Sequence, residues 1–417
     1  KDSVNLLKHR GPDDSGQFIF KNIGLGSTRL SIQDLSSRSR MPMESKNKRY
    51  VIVFNGEIYN FKELRNGILK KGIELTTSSD TEVLLTMYQL YREKSLNYLN
   101  GMFSYAILDK KSKSIFLARD RFGIKPLYFY KSDRLILFAS EIKAFIPFVK
   151  RFNLNWEVSN KIIPEYMIFR YNSGRKTLIR NVYRCLPGQF LSINQMGKIK
   201  KYLYYENPSH VENTRKNISI NEATKILQSK LSQSISYRLI SDAPVGIALS
   251  GGLDSSIITA FSSKLKKSKI KTFSVVFNEK NIDESNYSDM IAKMFNTDHH
   301  RIIFDPKNFK NLLSRCTWYN DEPLNFPNSV GIYLLSRYAS RHVKVLLGGE
   351  GADEIFAGYN FFRKKSHYPL KNRMIRIKDL YTLIHPKRYS NDFKNFLHSK
   401  SDFLSPLNQE IDYNLHT

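Results

Sequence analysis

Apolar positions along the chain keep one rhythm as far as residue 205 and another from 221 onward. In the first stretch the apolar runs are short. Residues 51–54 read as a buried strand closed by the turn signal Asn55-Gly56, and 103–108 with 114–118 as a hairpin around the polar bend 109–113. Further strands are expected at 135–139 and 189–193. Two helices interrupt them: one over 61–71, closed by Gly72, and one running to Arg92 from Ser79-Asp80-Thr81-Glu82, which has capping-box spacing. Strand-rich sequence with two embedded helices predicts sheets covered by helices rather than a parallel sheet. Residues 206–220, ENPSHVENTRKNISI, are polar without an apolar period and read as a linker. Beyond it the pattern alternates: helix 221–239, strand 245–249, helix 255–265, strand 272–277, helix 287–295, strand 301–304, helix 329–341, strand 343–347. Alternating units of this kind predict a doubly wound parallel sheet with ligands beyond the carboxyl ends of its strands. The expected domains are therefore 1–205 and 221–417.

The most informative stretch is PVGIALSGGLDSS at 244–256. An apolar strand ends at Leu249, Ser250-Gly251-Gly252 makes a tight bend, and Leu253-Asp254-Ser255-Ser256 opens a helix. Two glycines let backbone N–H groups approach an anion, and the helix start points its positive end at the same place. Ser250, Ser255 and Ser256 add hydroxyl donors, and Asp254 could hold a magnesium ion beside phosphates. The pattern favours a phosphate or pyrophosphate site over a purely structural turn, although it is not a Walker A loop.

Composition narrows the classes. At 417 residues, 41% hydrophobic and 25% charged, the chain suits a soluble protein of two domains or more. No apolar run reaches the roughly 20 residues of a membrane span, and no signal peptide is apparent. Two cysteines, Cys185 and Cys316, fit a reducing compartment and read as buried small hydrophobes, so a cytoplasmic protein without membrane contact is expected. The net charge of +28 raises nucleic-acid binding. The lysines are spread along the whole chain rather than gathered in a stripe, which favours solvated surface.

A series of motifs then carries a resemblance: HRGPDDSG at 9–16, RLSIQDL at 29–35, FNGEIYN at 54–60, SSDTEVLL at 78–85, GMFSYAILD at 101–109, RDRFGIKPLY at 119–128, ASEIKA at 139–144, LSGGLDSS at 249–256 and GGEGADEIFAGY at 348–359. In this order they resemble glutamine-dependent asparagine synthetase of the bacterial type. The resemblance implies an α/β protein, α+β followed by α/β: an N-terminal nucleophile-hydrolase-like αββα sandwich, then a doubly wound parallel-sheet ATP-pyrophosphatase domain. Implied substrates are glutamine, aspartate and ATP, with magnesium (Mg2+) as cofactor, and a homodimer is left open.

The implied roles fall in two groups. In the glutaminase half, Arg29 would grip the glutamine carboxylate and Asp80 its ammonium, while the Asn55 amide and the Gly56 N–H would stabilise the oxyanion. Read alone, Asn55-Gly56 is a hairpin turn, Asp80 a helix cap and Arg29 a surface cation. Glu57 reads as a structural neighbour. In the synthetase half, Leu249, Ser250, Gly251, Gly252, Asp254 and Ser255 would cradle pyrophosphate, Val275 with Val276 would lie against adenine, and Gly349 would line the ATP site. Asp254, Asp353 and Glu354 would hold the metal, and Glu350 would sit beside the reacting carboxylate. Val275 and Val276 read equally as core, and Asp283-Glu284 as either an acidic pair of the site or helix-dipole complement.

In such enzymes ATP adenylates the aspartate side chain, pyrophosphate leaves, and ammonia freed from glutamine displaces AMP. The family's N-terminal Cys nucleophile does not occur here. About 20 residues before HRGPD and roughly 100 to 200 after Thr417 are expected to be missing, so the chain reads as a fragment without glutaminase activity. Met41-Pro42-Met43 stands where QPM is usual. Amidation of another carboxylate, an RNA-binding pyrophosphatase and a non-catalytic protein are the competing readings.

Overall fold

The computed structural model describes residues 1–206, 218–277, 285–324, 326 and 328–359. Asp283 and Glu284 lie outside the described residues, as does most of the expected linker. The chain divides into two units, Lys1–Glu350 and Gly351–Thr417.

Within the first unit, strands β1 (Asp14–Phe20) and β2 (Ile23–Arg29) form a hairpin. Then come β3 (Met43–Glu44), β4 (Tyr50–Ile58), β5 (Gly101–Asp109), β6 (Ser114–Arg119), β7 (Tyr128–Lys131), β8 (Ile136–Ala139), β9 (Val182–Arg184), β10 (Gln189–Ile193) and β11 (Ile199–Leu203). The antiparallel order β11-β10-β6-β5-β4-β3 makes one six-stranded sheet, and β8-β7-β9 a smaller one. Alternation along the central strands explains why both faces are apolar. Tyr50, Ile52, Phe54, Phe103, Tyr105 and Phe116 pack under the helices Phe61–Leu69 and Asp80–Tyr91. Val51, Val53, Ala106, Leu108 and Leu117 face the other way, against β2, β7 and β8. Beyond β7 and β8, Ile142 and Phe145 close a further cluster. The result is helices, sheet, sheet and a second helical layer.

The parallel sheet is built from β12 (Val245–Ala248), β13 (Lys271–Phe277), β14 (Asp298–Phe304) and β15 (Val345–Leu347), in the order β14-β13-β12-β15. Helices Leu253–Leu265, Ser285–Met294, Phe309–Asn320 and Asn328–Ala339 lie between these strands in sequence. The fold class is mixed α/β, with antiparallel sheets and one parallel sheet.

Several expectations need correction. Asn55-Gly56 does not end a strand: β4 runs on to Ile58, with Asn55 opposite Ser104 and Gly56 opposite Phe103. The reason is close approach, because a Cβ on Gly56 would lie 2.1 Å from the Met102 carbonyl oxygen. Glycine is what allows β4 and β5 to pair there. Gly56→Ala is expected to cost about 1–3 kcal/mol of stability, read from urea unfolding. The helix placed at 221 starts at Ile220, since Ser219 Oγ accepts the Glu222 N–H at 3.2 Å. The hairpin β1-β2, the strands β7 and β9 and the helix Phe309–Asn320 were not expected from the pattern. That helix buries only Leu312 and Cys316, too few positions to declare a period.

Candidate active sites

A cavity of about 700 Å³ opens on the face of the six-stranded sheet that is turned toward β2 and β8. Arg29, Asn55, Gly56 and Asp80 all line it, although they come from three separate motifs. Arg29 ends β2 and is almost fully buried. Its guanidinium donates to the carbonyls of Ser36 at 3.1 Å, Gln33 at 3.3 Å and Asp34. It is therefore not a surface cation. Asp80 opens the helix Asp80–Tyr91, yet the cap of that helix is Ser79. The Asp80 carboxylate accepts the Ile58 N–H at 3.0 Å. Burial raises its pKa to about 6, against backbone donors and Arg29, which pull it down.

Glu57, read from the sequence as a neighbour only, belongs to the cavity as well. It accepts a hydrogen bond from Gln33 Nε2 at 2.7 Å. Burial, then the charge of Asp80, pushes its carboxyl well above the usual range. Asn55 and Glu57 share a face because they are two apart on β4, which shows only once the strand is known to run past Gly56. Lys125, from RDRFGIKPLY, lines the same cavity. Asn55 Nδ2 donates to Ser140 Oγ at 3.2 Å. A carbonyl-braced arginine and a pair of carboxyls in one cavity match the two ends of an α-amino acid zwitterion. Neither cysteine suits a nucleophile's role, because both are buried and burial lifts the Cys185 thiol to about 12.

The second site lies at the carboxyl end of β12. Leu249 is buried, and its N–H donates to the Phe273 carbonyl at 2.9 Å. The bend that follows is braced by serines: Ser250 N–H and Oγ reach Ser255 Oγ at 3.2 and 2.9 Å, and the Gly252 N–H reaches Ser250 Oγ at 3.2 Å. Gly251 has φ of 85° and presses on the helix Ser285–Met294, where a Cβ would come within 2.7 Å of the Ser288 nitrogen. The helix Leu253–Leu265 begins at Gly252 without a side-chain cap. The first-turn N–H groups therefore have no side-chain cap and sit at the positive end of the helix dipole, and Asp254 is the acid of that turn. Gly349 packs on the same turn, where a Cβ would lie 2.9 Å from Asp254 Cβ and 3.1 Å from the Ser255 nitrogen.

Because β12 lies between β13 and β15, the chain reverses its direction of winding at this point. The loops after β12 and β15 thus flank the crevice where such sheets bind ligands. Glu350 is exposed and folds back over Gly348. Val275 is part-buried, packs in the apolar cluster with Phe273 and is paired with Ile302, so its side chain serves the core. Asp353 and Glu354 stand on the short helix Ala352–Phe356 of the second unit. Among the described residues no three His, Cys, Asp or Glu side chains gather into a metal cage. Magnesium that takes most of its ligands from water and phosphate needs only one or two carboxylates, and Asp254 fits that demand. No helix among the described residues is long and apolar enough to cross a membrane.

Comparison with known proteins agrees with this layout. Residues 1–205 match the model of a glutamine amidotransferase domain, and 227–414 that of asparagine synthase. Asparagine synthetase [glutamine-hydrolyzing] 1 of Bacillus subtilis is 35% identical over 364 residues, covering 87% of this chain and 56% of that protein. A Methanocaldococcus jannaschii protein, provisionally named asparagine synthetase [glutamine-hydrolyzing] 2, is 34% identical over 424 residues, covering 92% of this chain and 81% of its own length. Amidase chyE of Penicillium rubens is 30% identical over 383 residues, covering 87% and 55%. The chain thus spans little more than half the length of the Bacillus subtilis relative. With two matched domains in this order and one relative covered over most of its length, the chain belongs to the glutamine-dependent asparagine synthetase family.

Proposed function

We propose that the protein forms a carboxamide from a carboxylate, with ATP as the activating substrate, glutamine as the nitrogen donor and aspartate as the acceptor. The observation that carries this reading is the serine-braced glycine bend at the switch point of the parallel sheet. The helix start that follows it has no side-chain cap, and its first-turn N–H groups suit the departing pyrophosphate.

In this reading the chemistry runs in two halves. An oxygen of the acceptor carboxylate attacks the α-phosphorus of ATP, and the bond to pyrophosphate breaks. Ser250, Gly251, Gly252 and the first turn at Asp254 and Ser255 hold the leaving diphosphate, while Gly349 closes on Asp254. Magnesium would be held by Asp254, with water and phosphate as its other ligands, and would neutralise phosphate charge when bound. Ammonia then attacks the acyl carbon of the adenylated acceptor and AMP leaves, with Glu350 beside the reacting group. In the other cavity Arg29 would take the glutamine carboxylate, and Asp80 with Glu57 its ammonium. Asn55 and Gly56 would donate to the oxyanion. Ammonia must travel uncharged, so a dry path between the sites is part of the reading.

Given ATP, magnesium, aspartate and ammonia, the protein is expected to release AMP and pyrophosphate in equal amounts, and a panel of carboxylates tests the acceptor. Failure to release pyrophosphate with any of them would remove the proposal. The amidase name among the relatives makes that panel the deciding experiment for aspartate.

A pH dependence follows from Asp80. Its folded pKa is raised to about 6, so the charge that attracts an ammonium is present above that value and lost as the pH falls through it. Glutamine affinity is expected to weaken below pH 6 for the wild type. Calorimetric titration from pH 5 to 8 checks this, and Asp80→Asn should flatten the profile at low affinity.

A further inference from the structure

Asp34 ties together three segments: Arg29, the turn before Asp80, and the approach to β12. Its backbone is left-handed, with φ of 50°, a conformation that Asp tolerates better than most residues. Its carbonyl accepts from the Arg29 guanidinium. Its carboxylate accepts the Ser78 N–H at 2.8 Å, two residues before Asp80. Its own N–H donates to Asp242 Oδ2 at 2.8 Å, and the Asp242 N–H returns a bond to the Ile32 carbonyl at 3.0 Å. Asp242 stands three residues before β12, the strand that ends in the glycine bend.

A second staple joins the same segment to the neighbouring strand. Asp13 Oδ2 accepts the Ser31 N–H at 2.8 Å and pairs with Lys344 Nζ at 2.5 Å. Lys344 immediately precedes β15, whose loop packs on Asp254. The two strands that define the nucleotide crevice are thus both fastened, at their amino ends, to residues 31–34. The carbonyls of Gln33, Asp34 and Ser36 in turn hold Arg29. β12 and β15 have only four and three residues. The strands that separate the fastened segments from the phosphate loops are thus only about 10–13 Å long.

We propose that Asp242 and Lys344, from the nucleotide half, are positioning residues for Arg29, setting its guanidinium through the clamp on residues 31–34. This rests on the reading of Arg29 as the ligand of the glutamine carboxylate. Neither residue lines the cavity: Asp242 acts through Asp34 and Ile32, and Lys344 through Asp13, which holds Ser31 and whose N–H also donates to the Arg29 carbonyl at 3.1 Å.

The test is a set of variants of the full chain: Asp242→Ala, Asp242→Asn, Lys344→Met and the double Asp242→Ala/Lys344→Met. Asparagine keeps an acceptor oxygen for the Asp34 N–H, whereas alanine removes it. Asp242→Ala is expected to weaken glutamine binding about 5- to 10-fold, with the double variant weaker still and Asp242→Asn near wild type. ATP affinity should change far less than glutamine affinity. Amide hydrogen exchange at residues 31–36 should quicken in the alanine and double variants and stay slow in asparagine. Unchanged glutamine affinity and unchanged exchange in a folded double variant would overturn the clamp. A wild-type chain that binds ATP but no glutamine overturns the role of Arg29 instead, and the exchange experiment still decides the clamp.

Discussion

Lys143→Met is expected to lower stability by about 3–5 kcal/mol at neutral pH, because it leaves the buried Asp321 carboxylate without its cation and Glu141 with only Arg10 and His9. The Lys143 side chain is 2% exposed, with its Nζ 2.5 Å from Glu141 and 2.8 Å from Asp321. Glu141 also takes Arg10 at 2.8 Å and His9 at 3.0 Å, both from the wall of the cavity that holds Arg29 and Asp80. Asp321 ends the helix Phe309–Asn320 and accepts the Ile142 and Lys143 N–H groups. The cluster therefore joins the first half of the chain to the helix that precedes the turn at 321–324.

Burial alone would raise both acids. At Asp321 it wins, and the pKa is raised despite Lys143. At Glu141 the bonds from Lys143 and Arg10 win, and the pKa is lowered. For Glu141 the sign is that of a depressed acid: its stabilisation is complete above the ordinary glutamate value and is lost as the pH falls through the lower folded value. In the methionine variant both acids are more easily protonated, so the stability deficit should narrow toward about pH 4. Urea unfolding at both pH values measures it, and a loss under about 1 kcal/mol at neutral pH would contradict the assignment of a buried, mutually dependent cluster.

The second large effect is functional. Asp254→Ala is expected to reduce pyrophosphate release at least about 100-fold while leaving glutamine affinity within about twofold. Asp254 is the one acid in the first turn of the helix Leu253–Leu265, beside N–H groups with no side-chain cap. Loss of its charge there costs only about 0.3–1 kcal/mol of folding stability, so the variant should fold and be assayable. A pyrophosphate-release assay beside a glutamine titration separates the two sites. Loss of both properties in a folded variant would contradict the assignment of two separate sites.

Much of the second half was legible because period and turn chemistry agreed there. A buried β-rich run, a double glycine and a helical period place a strand, a bend and a helix in that order, and β12 and the helix Leu253–Leu265 follow it. All four parallel strands start within three residues of expectation, at Val245, Lys271, Asp298 and Val345. In the first half the period misled at one informative place. Asn55-Gly56 has the chemistry of a hairpin turn, and only pairing with β5 over nine residues keeps it extended. Local propensity lost to a long-range contact there.

The sequence by itself determined the order of elements, the mixed α/β class and the motif-bearing residues, since these depend on short-range periodicity and on which side chains stand together along the chain. The tertiary structure alone decided which of those residues share a cavity, that Glu57 joins Asp80 there, and that Asp34 meets Asp242. Those contacts join residues up to 208 positions apart. No local pattern encodes them, because they arise from how two sheets are stacked and fastened, and burial then sets the charge states that the site can use.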